Sequence, residues 1–357
     1  MRNFILIVFA TACFQVFSQD GQVVPFDDGQ WSFSGDGYKV IREDGSSVLQ
    51  LNDGDVKANL KGADFTNGTI TYELKFAEAR TFLGLSFRMQ DAENYESFYV
   101  RPHQSGNPDA TQYTPVYNDL SAWQLYHGEG YATAVTYQFD QWIPITILVK
   151  DQRAEVYFNN NSEPAFHIPH LHREIQSGML GLWGGKGMVR NFTYTKNDNV
   201  TLKTAVKPKE RMQPRTITQW QVYTDVLSEQ LDENSITDLD DDKWSTMGVD
   251  DLGRLNLSKR LKLTEDKNTA LVKYTIVSSK AAVKQIDFGF SDRVVVYVNG
   301  KPIYKGDNTF RTRDYRFLGS IGYFDSAFLP LKRGINEIIF TVSESFGGWG
   351  LIAKLPE

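Results

Sequence analysis

The chain has 357 residues and a formal net charge of −6. That length supports more than one hydrophobic core, and an acidic balance without a lysine or arginine cluster argues against nucleic acid as a partner. Cys13 is the only cysteine, which excludes a disulfide framework.

The first segment, "MRNFILIVFATACFQVFSQD", sets Arg2 before an apolar run. Val16 and Ser18 fit the −3 and −1 sites of a signal peptidase, so residues 1–18 read as a secretory signal cleaved after Ser18. A secreted or periplasmic destination follows. The alternative is a lipoprotein signal ending at Cys13, but the apolar run continues past that cysteine, where a lipidated end turns polar. No later stretch is apolar for long enough to span a membrane.

Strand signals dominate residues 22–196. In "TITYELKF", Ile70, Tyr72, Leu74 and Phe76 share one face and Thr71, Glu73 and Lys75 the other. "TFLGLSFRM" repeats the alternation. "WIPITILVK" and "AEVYFNNN" predict a hairpin around residues 151–153. The glycine-rich "GMLGLWGGKGMVRNFTYTK" closes the unit. Residues 197–215, with Pro208 and Pro214, read as a linker.

Residues 216–357 read as a second all-β unit. "WQVYTDVLSEQLDEN" predicts a strand and a short helix. Asn299-Gly300 between "VVVYV" and "KPIYKG" is a hairpin signal, because both turn positions favour positive φ. The expected fold class is therefore all-β, a β-sandwich followed by a second one.

Two resemblances sharpen this. "GQWSFSG", "SSVLQLNDGDVKANLKGADFTNGTITYELKF", "DQWIPITILVKDQRAEVYFNN" and "GMLGLWGGKGMVRNFTYT" make the first unit resemble the concanavalin A-like lectin/glucanase superfamily, in its laminin G-like and 3-keto-disaccharide hydrolase branches. "VVVYVNGKPIYKG" with "LPLKRGINEIIFTVSESFGGWGL" makes the second similar to galactose-binding-like jelly rolls. Both resemblances imply folds that often bind glycans. Fold alone does not fix function. The Glu-x-Asp-x-x-Glu strand of the superfamily's glucanases is absent from the sequence.

Residues 98–128, "FYVRPHQSGNPDATQYTPVYNDLSAWQLYHG", are rich in tyrosine and amides and read as a long functional loop. Alternation sets Glu96, Phe98 and Val100 on one face of the preceding strand and Ser97, Tyr99 and Arg101 on the other. A sugar needs planar polar groups for its hydroxyls and a ring to stack on. The expected ligand-binding set is Arg88, Tyr99, Arg101, His103, Gln112, Tyr113, Asn118, Trp123, Gln124 and His127. If the protein were an enzyme, a glycoside hydrolase or glycan lyase, His103, Asp109 or Glu96 would be the acid or base. The leading expectation is binding of a polysaccharide or glycoconjugate without catalysis.

"HIPHLH" brings His167, His170 and His172 close in sequence but without a known metal spacing, so a turn is expected and no metal. "DLDDD" (residues 238–242) offers carboxylates that Ca²⁺ takes, but not in the spaced loop pattern, and reads as a solvated acidic turn. Trp349, between glycines, reads equally as a stacking platform or as a buried plug.

Overall fold

The computed structural model describes residues 21–52, 56–206, 211–229, 236, 239–314 and 318–355. The expected signal segment, Pro208 of the expected linker, most of the short helix expected after Tyr223, and Asp238 lie outside these residues.

The protein is all-β, and its described residues build four antiparallel sheets. Through Lys196 the strands make two of them. The eight-stranded sheet runs Trp31–Ser34, Val56–Phe65, Gly178–Gly184, Leu83–Met89, Tyr95–Val100, Thr111–Tyr117 and Ala132–Thr133, with Leu120–Ser121 also paired to Thr111–Tyr117. The seven-stranded sheet runs Phe166–Ile168, Arg153–Phe158, Ile143–Lys150, Gly68–Lys75, Gly187–Lys196, Ser46–Leu51 and Tyr38–Glu43. One core lies between them. Ala58, Leu85 and Phe98 face inward from the first sheet, and Leu49, Ile70 and Ile145 from the second. In Gly68–Lys75 every other residue is committed to that core, as a period of two requires.

The strands from Gln219 onward make a six-stranded sheet facing a four-stranded one. The first includes Thr269–Ser278, Gly334–Ser343, Arg293–Val298 and Lys301–Asp307, the second Gly350–Lys354, Ala282–Phe290 and Asp325–Leu331. Val272, Val296 and Phe340 meet Phe288, Leu329 and Leu351 across this second core. The predicted turn at Asn299 (φ 50°) and Gly300 (φ 79°) joins Arg293–Val298 to Lys301–Asp307. Trp349 is wholly buried and its indole N–H donates to the Val342 carbonyl at 2.8 Å. It is a plug.

The long loop expected at residues 98–128 is partly sheet. Thr111–Tyr117 is a strand paired along its length with Tyr95–Val100. Pro115 within the run hides it in the sequence, since proline lacks a ladder donor. Asn118 (φ 50°) and Asp119 (φ 64°) then make a tight two-residue turn into Leu120–Ser121. Residues 122–127 form a tongue that docks on the second sandwich. Gln124 N–H donates to Gly347 O at 2.7 Å, and Ile321 N–H to Gln124 O at 3.0 Å. Ile321 and Ile352 of the second sandwich complete the first core.

Candidate functional site

The expected ligand set does not gather in one place. Arg88 is 1% exposed. Its guanidinium donates to Thr66 O (2.9 Å), Asn67 Oδ1 (3.1 Å) and Asp151 O (2.7 Å), on the inner side of the sheet. The cause is a bulge. Met179 pairs with Met89 but Gly181 with Ser86, so Leu83–Met89 carries one extra residue there. Arg88 takes a positive φ of 50°. A bulge shifts alternation by one, so Arg88 turns inward and Met89 outward, where it meets Tyr95 and Val116.

Tyr113 is buried and its hydroxyl donates to Glu96 Oε2 at 2.7 Å. Glu96 faces the core as the alternation predicts and also accepts from the Arg173 amide at 2.9 Å. Burial raises its pKa against those hydrogen bonds and the nearby Arg88 and Arg173. Asn118, Gln124 and His127 face the second sandwich. Asn118 donates to Ser258 O at 2.8 Å, Gln124 approaches Asp292, and His127 Nε2 lies 3.1 Å from Ile321 O. Arg101 is ion-paired with Asp109 and lies over the Phe82 ring. His103 packs edge-on to Phe82, and burial followed by Arg101 and Arg80 lowers its pKa.

Two of the ten, Tyr99 and Trp123, open onto a shared cleft, and Gln112 accepts the Tyr99 hydroxyl at 2.5 Å beside it. This cleft, about 430 Å³, lies on the outer face of the eight-stranded sheet. That volume is within the range of small-molecule pockets, ~300–1,000 Å³. Its walls include Phe82, Tyr99, Trp123 and Trp183, with Ser97, Thr114 and Ser121 between the rings. Trp183 lies 5.6 Å from Tyr99 between ring centroids, and Tyr99 6.1 Å from Phe82. The Trp183 indole N–H donates to Ser97 Oγ at 3.3 Å.

The platform exists because residue 84 has no side chain. A Cβ there would stand 2.2 Å from Trp183 Cε2, so the indole lies flat over the Gly84 backbone. At the rim, Lys57 Nζ and Asp119 Oδ1 approach to 3.4 Å. Among the described residues lining the cleft, Asp119 is the one carboxylate. The Tyr95 phenol also lines it, with a pKa pushed up to about 12 by burial and then by Asp119. It is a neutral donor at ordinary pH. Beyond Trp123 the aromatic row continues onto the second sandwich. Phe346 lies 6.1 Å from Trp123, Phe310 6.1 Å from Phe346, and both are partly exposed.

Trp183, Phe82, Ser97, Thr114, Ser121 and Lys57 were not in the expected set. The signal for Trp183 was present. In "GMLGLWGG", Leu180 and Leu182 share the core phase, which puts Gly181 and Trp183 on the opposite face.

A larger cavity, about 960 Å³, lies by the Phe166–Ile168 edge, between Val206 and the Asp251–Leu252 loop. It takes in His167, His170 and His172 of the histidine-rich stretch. His172 stacks on Tyr126 at 3.9 Å and lies 2.9 Å from the Tyr131 hydroxyl. Among the described residues, no group of three or more His, Cys, Asp or Glu has the geometry to hold a metal. In the acidic turn, Asp240 caps Asp241–Lys243 by accepting from the Asp242 amide at 3.0 Å. The smaller cleft sets several partly exposed rings beside hydroxyls on one sheet face.

No known family and no curated protein matches the chain. Solved structures similar to it include a carbohydrate-binding module, CBM66, from Bacillus subtilis, at 13% identity over 47% of this chain and 92% of that one, with a TM-score of 0.33. A Bacillus licheniformis β-glucanase is similar at 10% identity over 50% and 96%, with a TM-score of 0.35. A β-1,3-1,4-glucanase from a mouse hindgut metagenome is similar at 10% identity over 49% and 97%, with a TM-score of 0.37.

Proposed function

We propose that the protein binds a polysaccharide or glycoconjugate in the cleft of Trp183, Tyr99 and Trp123, without cleaving it. The observation that carries this reading is the indole of Trp183, laid flat over Gly84 and flanked by Tyr99 and Ser97. A ring held rigidly offers an apolar face at little entropic cost, and the hydroxyls beside it match a sugar's edge. A few such contacts correspond to micromolar-to-millimolar affinity, about −4 to −8 kcal/mol.

Binding is favoured over hydrolysis on the chemistry of the lining. Glycoside hydrolysis uses two carboxyl groups about 5–9.5 Å apart. Here Asp119 stands against Lys57, while Glu96 faces the opposite side of the sheet. In this reading the first sandwich is of the concanavalin A-like kind, the second of the galactose-binding-like kind, and the leader exports the chain. Phe346 and Phe310 extend the stacking row, which suits a chain polymer over a single sugar.

The test is a glycan array probed with the intact protein and with Trp183→Ala and Trp123→Ala. Retention of a glycan by the parent and its loss in both variants is the expected result. No retained glycan, or equal retention by all three, would refute the reading.

A further inference from the structure

Where the second sandwich receives the tongue, its six-stranded sheet carries a row of buried polar side chains. Ser343 pairs with Arg293, and Arg293 with Asp307. One residue further on stand Glu344, Asp292 and Asn308, side by side at the ends of three adjacent strands. The Asn308 amide donates to the Asp292 carbonyl, which holds this register past the last ladder pair. Their exposures are 1%, 0% and 2%.

Gln124 of the first sandwich closes over them, itself wholly buried. Its Nε2 lies 3.4 Å from both Asp292 Oδ1 and Leu318 O. Two glycines make room for its amide. A Cβ on Gly319 would stand 2.2 Å from Nε2, and one on Gly347 2.8 Å from Oε1.

Among the described residues, four oxygens of this group have no hydrogen-bond partner: both of Glu344, Oδ1 of Asn308 and Oε1 of Gln124. Asn308 Nδ2 donates to Phe290 O at 2.9 Å, which fixes which end of that amide is the orphan. Asp292 Oδ2 accepts from the Ser345 amide at 2.7 Å, leaving Oδ1 only the long contact to Gln124. Two neighbouring carboxylates are costly to bury unless each is paired. Burial and the adjacent Asp292 raise the Glu344 pKa well above the carboxylate range; the Ser291 hydroxyl and Phe346 amide pull the other way without reaching hydrogen-bond geometry. The nearby guanidinium of Arg293 is engaged by Glu229.

We propose that Asp292, Glu344, Asn308 and Gln124 form a Ca²⁺ site that pins the tongue of the first sandwich to the second. The donors are all oxygen, two carboxylates and two amide carbonyls, and Ca²⁺ takes six to eight oxygens in flexible geometry whereas Mg²⁺ demands a near-ideal octahedron and keeps its waters. Waters complete the shell. Trp123, next to Gln124, lines the cleft, so the ion steadies one wall of it. The proposal does not depend on what the cleft binds.

The experiment uses the full chain after chelator treatment, titrated with Ca²⁺ alone and with Mg²⁺ alone, followed by calorimetry and thermal melting. One Ca²⁺ per chain is expected, with a melting temperature that climbs with the logarithm of Ca²⁺ and hardly moves with Mg²⁺. Glu344→Gln should abolish the Ca²⁺ shift while melting in chelator at or above the parent's temperature, because it removes a buried charge. Gln124→Met, which leaves the second sandwich intact, should weaken Ca²⁺ roughly tenfold, since affinity follows the number of ligands. A parent protein unmoved by millimolar Ca²⁺, or an equal response in Glu344→Gln, would overturn the site. If Glu344→Gln fails to fold, unchanged affinity in Gln124→Met has the same force.

Discussion

Replacing Gly84 by alanine tests the cleft through a residue that never touches a ligand. Backbone φ at Gly84 is not in the left-handed region, so alanine is admissible there on conformational grounds. The added methyl would stand 2.2 Å from Trp183 Cε2. Carbon pairs settle at about 3.5–4.0 Å, so the ring must retreat by roughly 1 Å or more. Trp183 is only half-buried, so it can lift toward solvent. The stability cost should be about 1–3 kcal/mol, the range for overpacking. The binding cost is larger in proportion. One face of an indole, roughly a third of the 150–250 Å² an aromatic side chain buries, is ~60 Å², and at ~25 cal/mol/Å² this is about 1.5 kcal/mol, or about tenfold in Kd. Two assays read it: calorimetry with the glycan found on the array, and tryptophan emission, which should move to longer wavelength in the variant without ligand. A folded Gly84→Ala protein with parental emission and affinity within twofold of the parent would refute the reasoning.

Other outcomes follow from the same structure. Arg88→Ala takes the buried guanidinium donor from Thr66 O and Asp151 O, and leaves Asn67 Oδ1 with only the Asp151 amide. Urea unfolding should register a loss of about 3 kcal/mol or more, with the affinity of the remaining folded protein unchanged. Trp349→Ala empties the second core and forfeits the bond to Val342 O, a loss of about 3–5 kcal/mol by the same measurement. Glu155 accepts from the Tyr157 hydroxyl (2.6 Å) and the amides of Lys203 (3.0 Å) and Thr204 (2.6 Å), tying down the chain after Lys196. Burial alone would raise its pKa, but these hydrogen bonds outweigh it and the pKa is lowered. The tie is therefore fully present above the ordinary carboxylate pKa and is lost as pH falls through the lower folded value. Protease cleavage near residues 203–206 should be slow at neutral pH in the parent, faster in strong acid, and fast at neutral pH in Glu155→Gln.

Much of the architecture was legible because it rests on a period of two. Ile70, Tyr72 and Leu74 enter the core as their alternation requires, and Asn299-Gly300 makes the turn its φ preferences dictate. The site was legible only where the same rule held without interruption. Ser97 and Tyr99 face outward opposite Phe98 and Val100, as expected. Arg88 breaks the rule because one extra residue in its strand inverts the phase, and nothing local in "SFRMQD" marks that bulge. Asn118, Gln124 and His127 have the composition of a sugar site but are consumed by contacts with residues 140 to 194 positions away. A polar side chain gives the same sequence signal whether it meets a hydroxyl of a ligand or a carbonyl of a distant domain. The glycines around Trp183 have the composition of a turn, yet they are what lets the ring lie on the sheet.

The most direct measurement is of the indole N–H resonances of the intact protein by NMR, titrated with the glycan retained on the array. Trp183 and Trp123 line the cleft, while Trp220 and Trp349 are sealed in the second core. Saturable shifts of the first two with the latter pair still is the predicted result. Binding that moves neither Trp183 nor Trp123 would contradict the account.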